Sequence, residues 1–189
     1  MNKHLKKVSR DRRVQRTRNA LFTAFFELVL ARPYEQIKVD DIVKRARIGR
    51  STFYEYFCSK DAMLAASLAG PFALLADAIG PLDNTARLVE LLEHFWANRA
   101  VARGVFTGAV RRRTAAVLVG LIEKRLRVTR AGVPTRLIIP THLAAVQLSE
   151  ALLAPLIAWL LGDSACSAKA LAVALRKTAI ALVGVLTGR

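Results

Sequence analysis

Apolar residues recur with a helical period at the beginning of the chain. Between Val14 and Val29 they fall every three or four positions, which predicts an amphipathic helix. Polar and charged residues fill the other positions, so one face of this helix is predicted to be buried. The helix is expected to end before Pro33, because the residue that precedes a proline is disfavoured in the helical conformation.

Two shorter apolar sets follow, over 39–46 and 50–57, and a break of three residues separates them. This spacing predicts a helix, a tight turn and a second helix. The second helix would bury Phe53 and Phe57, four residues apart on one face, and would leave a polar face outward. Such a helix fits the major groove of DNA. A small helical hairpin with a solvated polar face has the same pattern, so the spacing leaves both interpretations open.

The rest of the chain has helical periodicity throughout and no alternating pattern typical of a strand. Gly70-Pro71 and Gly80-Pro81 are expected to break the next helical segment, and Pro140 and Pro155 to bend a later helix or to move its start to Pro140. The other predicted helices cover about 85–97, 101–106, 110–129, 135–161 and 168–187, with a loop at Gly132-Val133-Pro134. The sequence therefore predicts an all-α fold with a small N-terminal helical unit and a larger helical bundle.

The charge balance adds an expectation about partners. The chain has 189 residues, of which 53% are hydrophobic, and a formal net charge of +16. It can bury a core, and a globular protein this basic usually meets a polyanion, either nucleic acid or an anionic membrane surface. Residues 1–60 carry 15 Lys and Arg against 6 acids. The first of these basic residues form a basic arm (residues 1–13), for which a solvated tail is the alternative.

Several classes of protein are excluded by the same sequence. Cys58 and Cys166 form neither a CxxC pair nor a disulfide framework, and the polar start lacks the apolar stretch of a signal peptide. The most apolar run, 151–161, is too short and too close to charged residues for a membrane span. The three histidines lack metal-ligand spacing, and no phosphate-binding or nucleophile motif occurs. We expect a cytoplasmic protein that is not an enzyme and needs no metal or cofactor.

Residues 42–64 favour DNA binding over the other interpretations. They read IVKRARIGRSTFYEYFCSKDAML, which resembles the DNA-binding signature of TetR/AcrR-family transcriptional regulators, D-I-A-x-x-A-G-V-S-x-x-T-x-Y-x-H-F-x-S-K-E-A-L. The chain departs from that pattern with Arg47 at the turn glycine, Gly49 at the usual serine, Lys38 at the usual threonine or serine, and Tyr56 at the usual histidine. These departures put any transfer of an operator sequence in doubt, while the fold assignment stands.

The resemblance implies an architecture and a set of DNA contacts. It implies a three-helix helix-turn-helix domain over 14–68, after the basic arm, and an effector-binding and dimerisation domain over 69–189. Arg50, Ser51 and Thr52 would lie near base edges, while Tyr54, Tyr56 and Lys60 would contact phosphates. Lys38 loses a side-chain cap and offers a phosphate contact in its place. Arg10, Arg12 and Arg13 of the basic arm could reach the flanking minor groove or phosphates. Packing against Phe22 or Phe26 is the alternative for Tyr54.

The C-terminal part is implied to bind a small effector and to form a homodimer through its last two helices. Those helices are apolar on more than one face and therefore need partners on several sides, although a monomeric bundle is the alternative. Glu150 and His142 lie in otherwise apolar helix, so each is expected to have a hydrogen-bond partner or to face the pocket or the dimer interface. The candidates to line a pocket, for whose aromatic members plain core is the alternative, are Phe95, Trp96, Phe106, His142, Gln147 and Trp159.

The sequence thus predicts a ligand-responsive transcriptional regulator, a repressor, that binds a pseudo-palindromic double-stranded DNA operator as a homodimer. Two alternatives belong to other classes. An architectural DNA-binding protein would sense nothing, but it does not need a second domain of this size. A peripheral membrane-binding helical protein would need the charge but not the specific residues of the helix-turn-helix.

Overall fold

A computed structural model describes residues 2–127 and 136–188, with side chains from residue 12 onward. Those ranges contain nine α-helices, short 3-10 turns and no strand, which confirms the predicted all-α fold. The chain divides into two compact units, Met1–Ser67 and Leu68–Arg189.

The first unit contains α1 (Asn2–Ala31), α2 (Val39–Ala46) and α3 (Arg50–Tyr56), and α4 (Lys60–Ala76) contributes residues to both units. α1 ends before Pro33 as predicted, but it begins at Asn2 and not near Val14. Residues 2–13 therefore form the first turns of α1. Neither glycine nor proline interrupts 2–31, and the many lysines and arginines are good helix formers.

The core of the first unit fixes which face of each helix points inward. Leu21 and Phe25 of α1 and Ile42 of α2 are fully buried. Phe53 of α3 is also fully buried, and its ring centroid lies 5.8 Å from that of Phe57. The predicted inward positions of α3 are confirmed, and the polar side of α3 is therefore left outside.

The second unit contains the remainder of α4 and five further helices. These are α5 (Thr85–Ala97), α6 (Arg99–Phe106), α7 (Arg111–Arg127), α8 (Thr141–Leu161) and α9 (Ala168–Leu186). α8 begins directly after Pro140, which is one of the two starts that the sequence allows. The predicted loop at Gly132-Val133-Pro134 lies outside the described residues.

The predicted break at Gly70-Pro71 is wrong, because α4 runs through both residues. Proline inside a helix lacks a hydrogen-bond donor and crowds the preceding turn, which weakens the helix. Here Leu68, Phe72 and Leu75 are buried around it, with relative exposures of 5%, 0% and 0%. Packing of this apolar face outweighs the local preference.

Within residues 2–127 and 136–188, two helical segments are long and apolar enough to cross a membrane by length and composition alone. They are Lys60–Ile79 and Thr141–Leu161, with 39% and 50% of their apolar windows buried. The expectation that the region around 151–161 is too short for a span is therefore wrong on length. The core helix of a soluble protein passes the same test, and the buried side of α8, which includes Leu148, Leu152 and Leu156, is typical of such a helix.

Candidate nucleic-acid interface

The turn between α2 and α3 is built around a left-handed residue. Arg47 ends α2 with φ 55° and ψ 43°, and it is the only residue other than glycine with positive φ in the described part of the chain. The Arg47 N–H donates to the Lys44 carbonyl at 3.2 Å, and the Ile48 N–H donates to the Val43 carbonyl at 3.0 Å. These bonds satisfy the last carbonyls of α2. Gly49 then adopts an extended conformation as the N-cap of α3. The predicted helix, three-residue turn and helix are confirmed.

Replacing Arg47 by glycine is expected to stabilise the free protein. A residue with a Cβ in the left-handed region is strained relative to glycine, so Arg47→Gly should raise the free energy of unfolding by about 1 kcal/mol. The measurement is urea denaturation without DNA. Arg47→Ala is the matched control, because it removes the same charged side chain and keeps the Cβ. Equal stability of the two variants would contradict the prediction.

α3 presents its polar residues outward. Arg50, Ser51, Tyr54 and Glu55 are exposed, whereas Thr52 and Tyr56 are half-buried. The Tyr54 side chain is 46% exposed, and its ring meets the Phe53 ring edge-on with centroids 5.4 Å apart. The alternative in which Tyr54 packs against Phe22 or Phe26 is not observed. The Tyr56 ring lies against Phe57, with centroids 6.5 Å apart.

Arg50 is held at the beginning of α3 by two neighbours. Its Nη1 lies 2.7 Å from Oδ1 of Asp40, and its guanidinium carbon lies 5.7 Å from the centroid of the Tyr54 ring. The Tyr54 side chain, and after it the Asp40 carboxylate, raise the pKa of Arg50. These contacts hold the charged guanidinium in place before DNA binds. The sequence pattern did not reveal this pairing.

Lys60 has a structural role that the sequence did not reveal. Its Nζ donates to the carbonyls of Tyr34 and Ile37, at 2.7 Å each, and lies 4.1 Å from the centroid of the Tyr34 ring. These contacts fasten the segment between α1 and α2 to the start of α4. Contact between Lys60 and a phosphate stays a prediction, and substitution of Lys60 would change folding as well as any DNA contact.

The N-terminus of α2 is capped from within the helix. Oδ2 of Asp41 accepts the backbone N–H of Lys38 at 2.8 Å and lies 2.6 Å from Nη2 of Arg32. The Lys38 backbone, and after it the Arg32 side chain, lower the pKa of Asp41. Asp41 therefore supplies the half of a capping box that accepts the N-cap N–H, while the other half, a side-chain acceptor at the N-cap, is lost with Lys38, whose side chain is exposed.

The cations of this unit fall into two groups. Arg45 pairs with Glu27 at 2.6 Å, Arg32 pairs with Asp41 and Arg50 pairs with Asp40. By contrast, Lys38, Lys44 and Arg47 are exposed, and among the described side chains none is bonded to them. Lys44 and Arg47 are further candidate phosphate contacts, and their basic charge was the only signal available in the sequence. Arg12 and Arg13 are exposed on α1, and the side chain of Arg10 lies outside the described residues.

The candidates for an effector pocket are distributed over the second unit. Phe95 and Phe106 are buried with ring centroids 5.3 Å apart, and the Trp96 and Trp159 centroids are 4.7 Å apart. His142 and Gln147 are exposed on α8. The structure therefore joins the four aromatic residues in two pairs, and their participation in a pocket stays a prediction.

The polar partners expected in this unit are confirmed. Arg111 makes a bidentate ion pair with Glu150, and Nδ1 of His142 lies 2.6 Å from Oε1 of Glu123. The Arg111 ion pair therefore connects α7 and α8.

Comparison with known proteins agrees with this geometry. Residues 21–67 match the family described as bacterial regulatory proteins, tetR family. The chain is 35% identical over 68 residues to the uncharacterized HTH-type transcriptional regulator YxbF of Bacillus subtilis, and 37% identical over 59 residues to the HTH-type dhaKLM operon transcriptional activator DhaS of Lactococcus lactis. These matches cover 35% and 31% of this chain, but only 18% and 32% of the relatives.

A solved structure extends the likeness of fold to the whole chain. The TetR transcriptional regulator from Streptococcus agalactiae aligns with a TM-score of 0.56 and 24% identity, over 92% of this chain and 98% of its own. At that identity the likeness shows the fold alone.

Proposed function

We propose that this chain, whose residues 21–67 match the tetR family of bacterial regulatory proteins, is a non-enzymatic transcriptional regulator that binds operator DNA through α3. The observation that carries the proposal is the polar face of α3, which lies outside the core. α3 follows directly after a tight turn whose N–H groups donate to the last carbonyls of α2. This is the arrangement in which the second helix of a helix-turn-helix enters the major groove. The protein acts in the cytoplasm, where bacterial DNA is found.

The side chains of this face divide by chemistry. Arg50, Ser51 and Thr52, at the N-terminal end of α3, read base edges. Tyr54 and Tyr56 donate from their hydroxyls to phosphates, and the ammonium groups of Lys38 and Lys60 also contact phosphates. Phosphate contacts set affinity and register, whereas the first three residues of α3 set the sequence preference.

The protein acts as a homodimer through α8 and α9. Both helices carry apolar side chains that stay exposed within one protomer: Leu143 and Val146 on α8, and Ile180 and Val185 on α9, at 54%, 37%, 44% and 62%. Large aliphatic residues on the outside of adjacent helices favour burial against a second copy. A two-fold dimer presents two copies of α3 to one duplex, so the operator is pseudo-palindromic.

A small molecule bound in the second unit controls the dimer, which represses transcription in its absence. The size of this unit and its separate core support a sensing role. The relative DhaS is named an activator, but the match to it lies over a third of its length, so it does not bear on the direction of control. An architectural role leaves the second unit without a function, and a membrane-binding role leaves the specific face of α3 without one.

Selection from random and genomic duplexes with the full chain tests this function. We expect a motif with a dyad, whose half-sites lie about 34–36 Å apart or a multiple of that distance. A thermal-shift screen of small molecules with the same protein then searches for the effector. Selection of no motif, or of a motif without a dyad, would contradict the proposal.

Replacing Arg50 by alanine is expected to weaken operator binding by about 5- to 150-fold for each half-site and to relax one position in each half-site, because each protomer loses a bidentate base contact. Binding to a scrambled duplex should fall much less. Arg45→Ala is the matched control, since Arg45 is also an exposed arginine paired with a carboxylate. Equal losses on both duplexes for Arg50→Ala would assign Arg50 to the phosphate backbone instead.

A further inference from the structure

The two adjacent acids at the start of α2 have different partners. Asp41 caps the helix through the Lys38 backbone N–H and pairs with Arg32. Asp40, the preceding residue, has one partner among the described side chains, which is Arg50 at 2.7 Å. Asp40 therefore contributes no cap to α2, and its carboxylate is directed to the first residue of α3.

The Asp40–Arg50 pair is too exposed to be explained by folding. The two side chains are 64% and 61% exposed, and ion pairs at such positions contribute little to the stability of a protein. The pair also places a negative charge on the face that must approach phosphates, where it weakens binding to every duplex. The dipole of α2 favours an acid in its first turn, which accounts for a carboxylate at position 40. The pairing of that carboxylate with Arg50 calls for a further effect, on DNA recognition.

Orientation of the guanidinium is an effect of the right kind. Arginine presents five N–H donors in a planar fork, and a long flexible side chain loses much conformational entropy when that fork is fixed against a base edge. Nη1 of Arg50 donates to the Asp40 carboxylate, and the Tyr54 ring lies 5.7 Å from the guanidinium carbon. The guanidinium is therefore held by two neighbours before DNA binds. The remaining donors stay available to a base.

We propose that Asp40 is a positioning residue that sets the sequence specificity of Arg50, by holding its guanidinium for one base and by opposing binding to DNA that lacks this base. This inference rests on the proposed function. Its two parts act in opposite directions on the two kinds of DNA. Orientation strengthens binding to the operator alone, whereas the negative charge weakens binding to the operator and to other DNA alike.

Asp40→Asn separates these parts. It removes the negative charge and weakens the interaction that orients Arg50, while the side chain at position 40 keeps almost the same shape. In 0.1 M salt, we expect binding to a random 30-base-pair duplex to tighten by about two- to fivefold, because the dimer loses two negative charges. On the operator, the lost orientation of Arg50 should weaken binding by about five- to tenfold against this gain, so operator binding should not tighten and the ratio of operator to random affinity should fall by that five- to tenfold. Selection with this variant should yield a motif relaxed at the position that Arg50→Ala relaxes.

Three further variants complete the test. Glu35→Gln removes an exposed carboxylate of the same unit that has no partner among the described side chains, and it should leave the ratio unchanged. Asp40→Glu keeps the negative charge, so its ratio of operator to random affinity should stay close to that of the unmodified chain. In an Arg50→Ala background, Asp40→Asn should no longer change the ratio, since the coupling of two residues vanishes when one is absent. Circular dichroism and the melting temperature of each variant report on folding.

The outcomes distinguish this inference from the function on which it rests. If the unmodified chain selects no motif with a dyad, the proposed function fails. If it selects one and Asp40→Asn leaves the ratio unchanged or raises it, Asp40 merely competes with DNA for Arg50 and the inference is overturned. The inference is also overturned if Asp40→Asn lowers the ratio equally when Arg50 is alanine, because Asp40 then acts without Arg50.

Discussion

The variant Ile180→Glu is expected to convert the proposed dimer into monomers and to weaken operator binding by at least about 100-fold, because the two DNA-binding units are no longer linked. Ile180 lies on α9 and is 44% exposed within one protomer. A two-fold interface contains each of its residues twice, so this single change places two carboxylates in an apolar contact where neither has a partner. Each free monomer would then hold one half-site only.

The fold of the protomer should survive this change, because Ile180 is outside the core. Leu82→Glu is the matched control, since Leu82 is 82% exposed in the same unit and belongs to the loop before α5 and to neither α8 nor α9. Light scattering at micromolar concentration and titration of the operator measure the two effects. A dimer with unchanged operator affinity for Ile180→Glu would place the dimer interface elsewhere.

The helix-turn-helix was predictable because its signals are local. The period of the apolar residues fixed α2 and α3, and the placement of Phe53 on the buried side followed from its spacing to Phe57. The backbone strain at Arg47 was predictable from the family pattern, which has a glycine at this position of the turn. A glycine there indicates a left-handed residue. None of these inferences required knowledge of contacts distant in sequence.

The contacts that organise the face were not predictable for the opposite reason. Asp40 and Arg50 lie ten residues apart on different helices, and Lys60 reaches carbonyls 23 and 26 residues before it. Sequence reasoning assigned Arg50 and Lys60 to DNA by residue type and could not see these intramolecular partners. The continuity of α4 through Pro71 was missed for a similar reason, because tertiary burial of Phe72 outweighed a local preference.

The pocket candidates show the limit of choosing residues by polarity. An aromatic residue at helical spacing fits a ligand cavity and a packed core equally well. In this structure Phe95 and Phe106 belong to the packed core, since both rings are buried against each other. The indole of Trp159 is 5% exposed, and its Nε1 already donates to the Cys166 carbonyl at 3.0 Å. Recognising a pocket requires the positions of several helices at once, which no local pattern supplies.

The basic arm is expected to contribute affinity rather than specificity. Its residues form the first turns of α1, so a helix, and not an extended strand of chain, carries the charges. A helix is too wide to lie in the narrow minor groove, and side chains on it favour phosphates. The arm should therefore strengthen binding to every sequence by releasing counterions from the duplex.

Replacing the six basic residues of the arm by glutamine tests this expectation while keeping a good helix former at each position. Those residues are Lys3, Lys6, Lys7, Arg10, Arg12 and Arg13. We expect operator and random-duplex affinities to fall together by about 100-fold in 50 mM salt, and the variant and the unmodified chain to converge as salt rises. The measurement is the slope of log affinity against log salt concentration for both duplexes.

A smaller pair of variants controls for net charge. Arg12→Gln with Arg13→Gln removes two exposed cations from α1, and Arg87→Gln with Arg112→Gln removes two exposed cations from α5 and α7, outside the proposed dimer interface. Only the first pair should reduce the salt slope, by between about 2 and 4 for a dimer, because each neutralised phosphate contributes about 0.9. Parallel salt lines for the first pair and the unmodified chain would show that these two arginines touch no DNA. A loss confined to the operator would instead show that they read sequence, through a locally narrow minor groove.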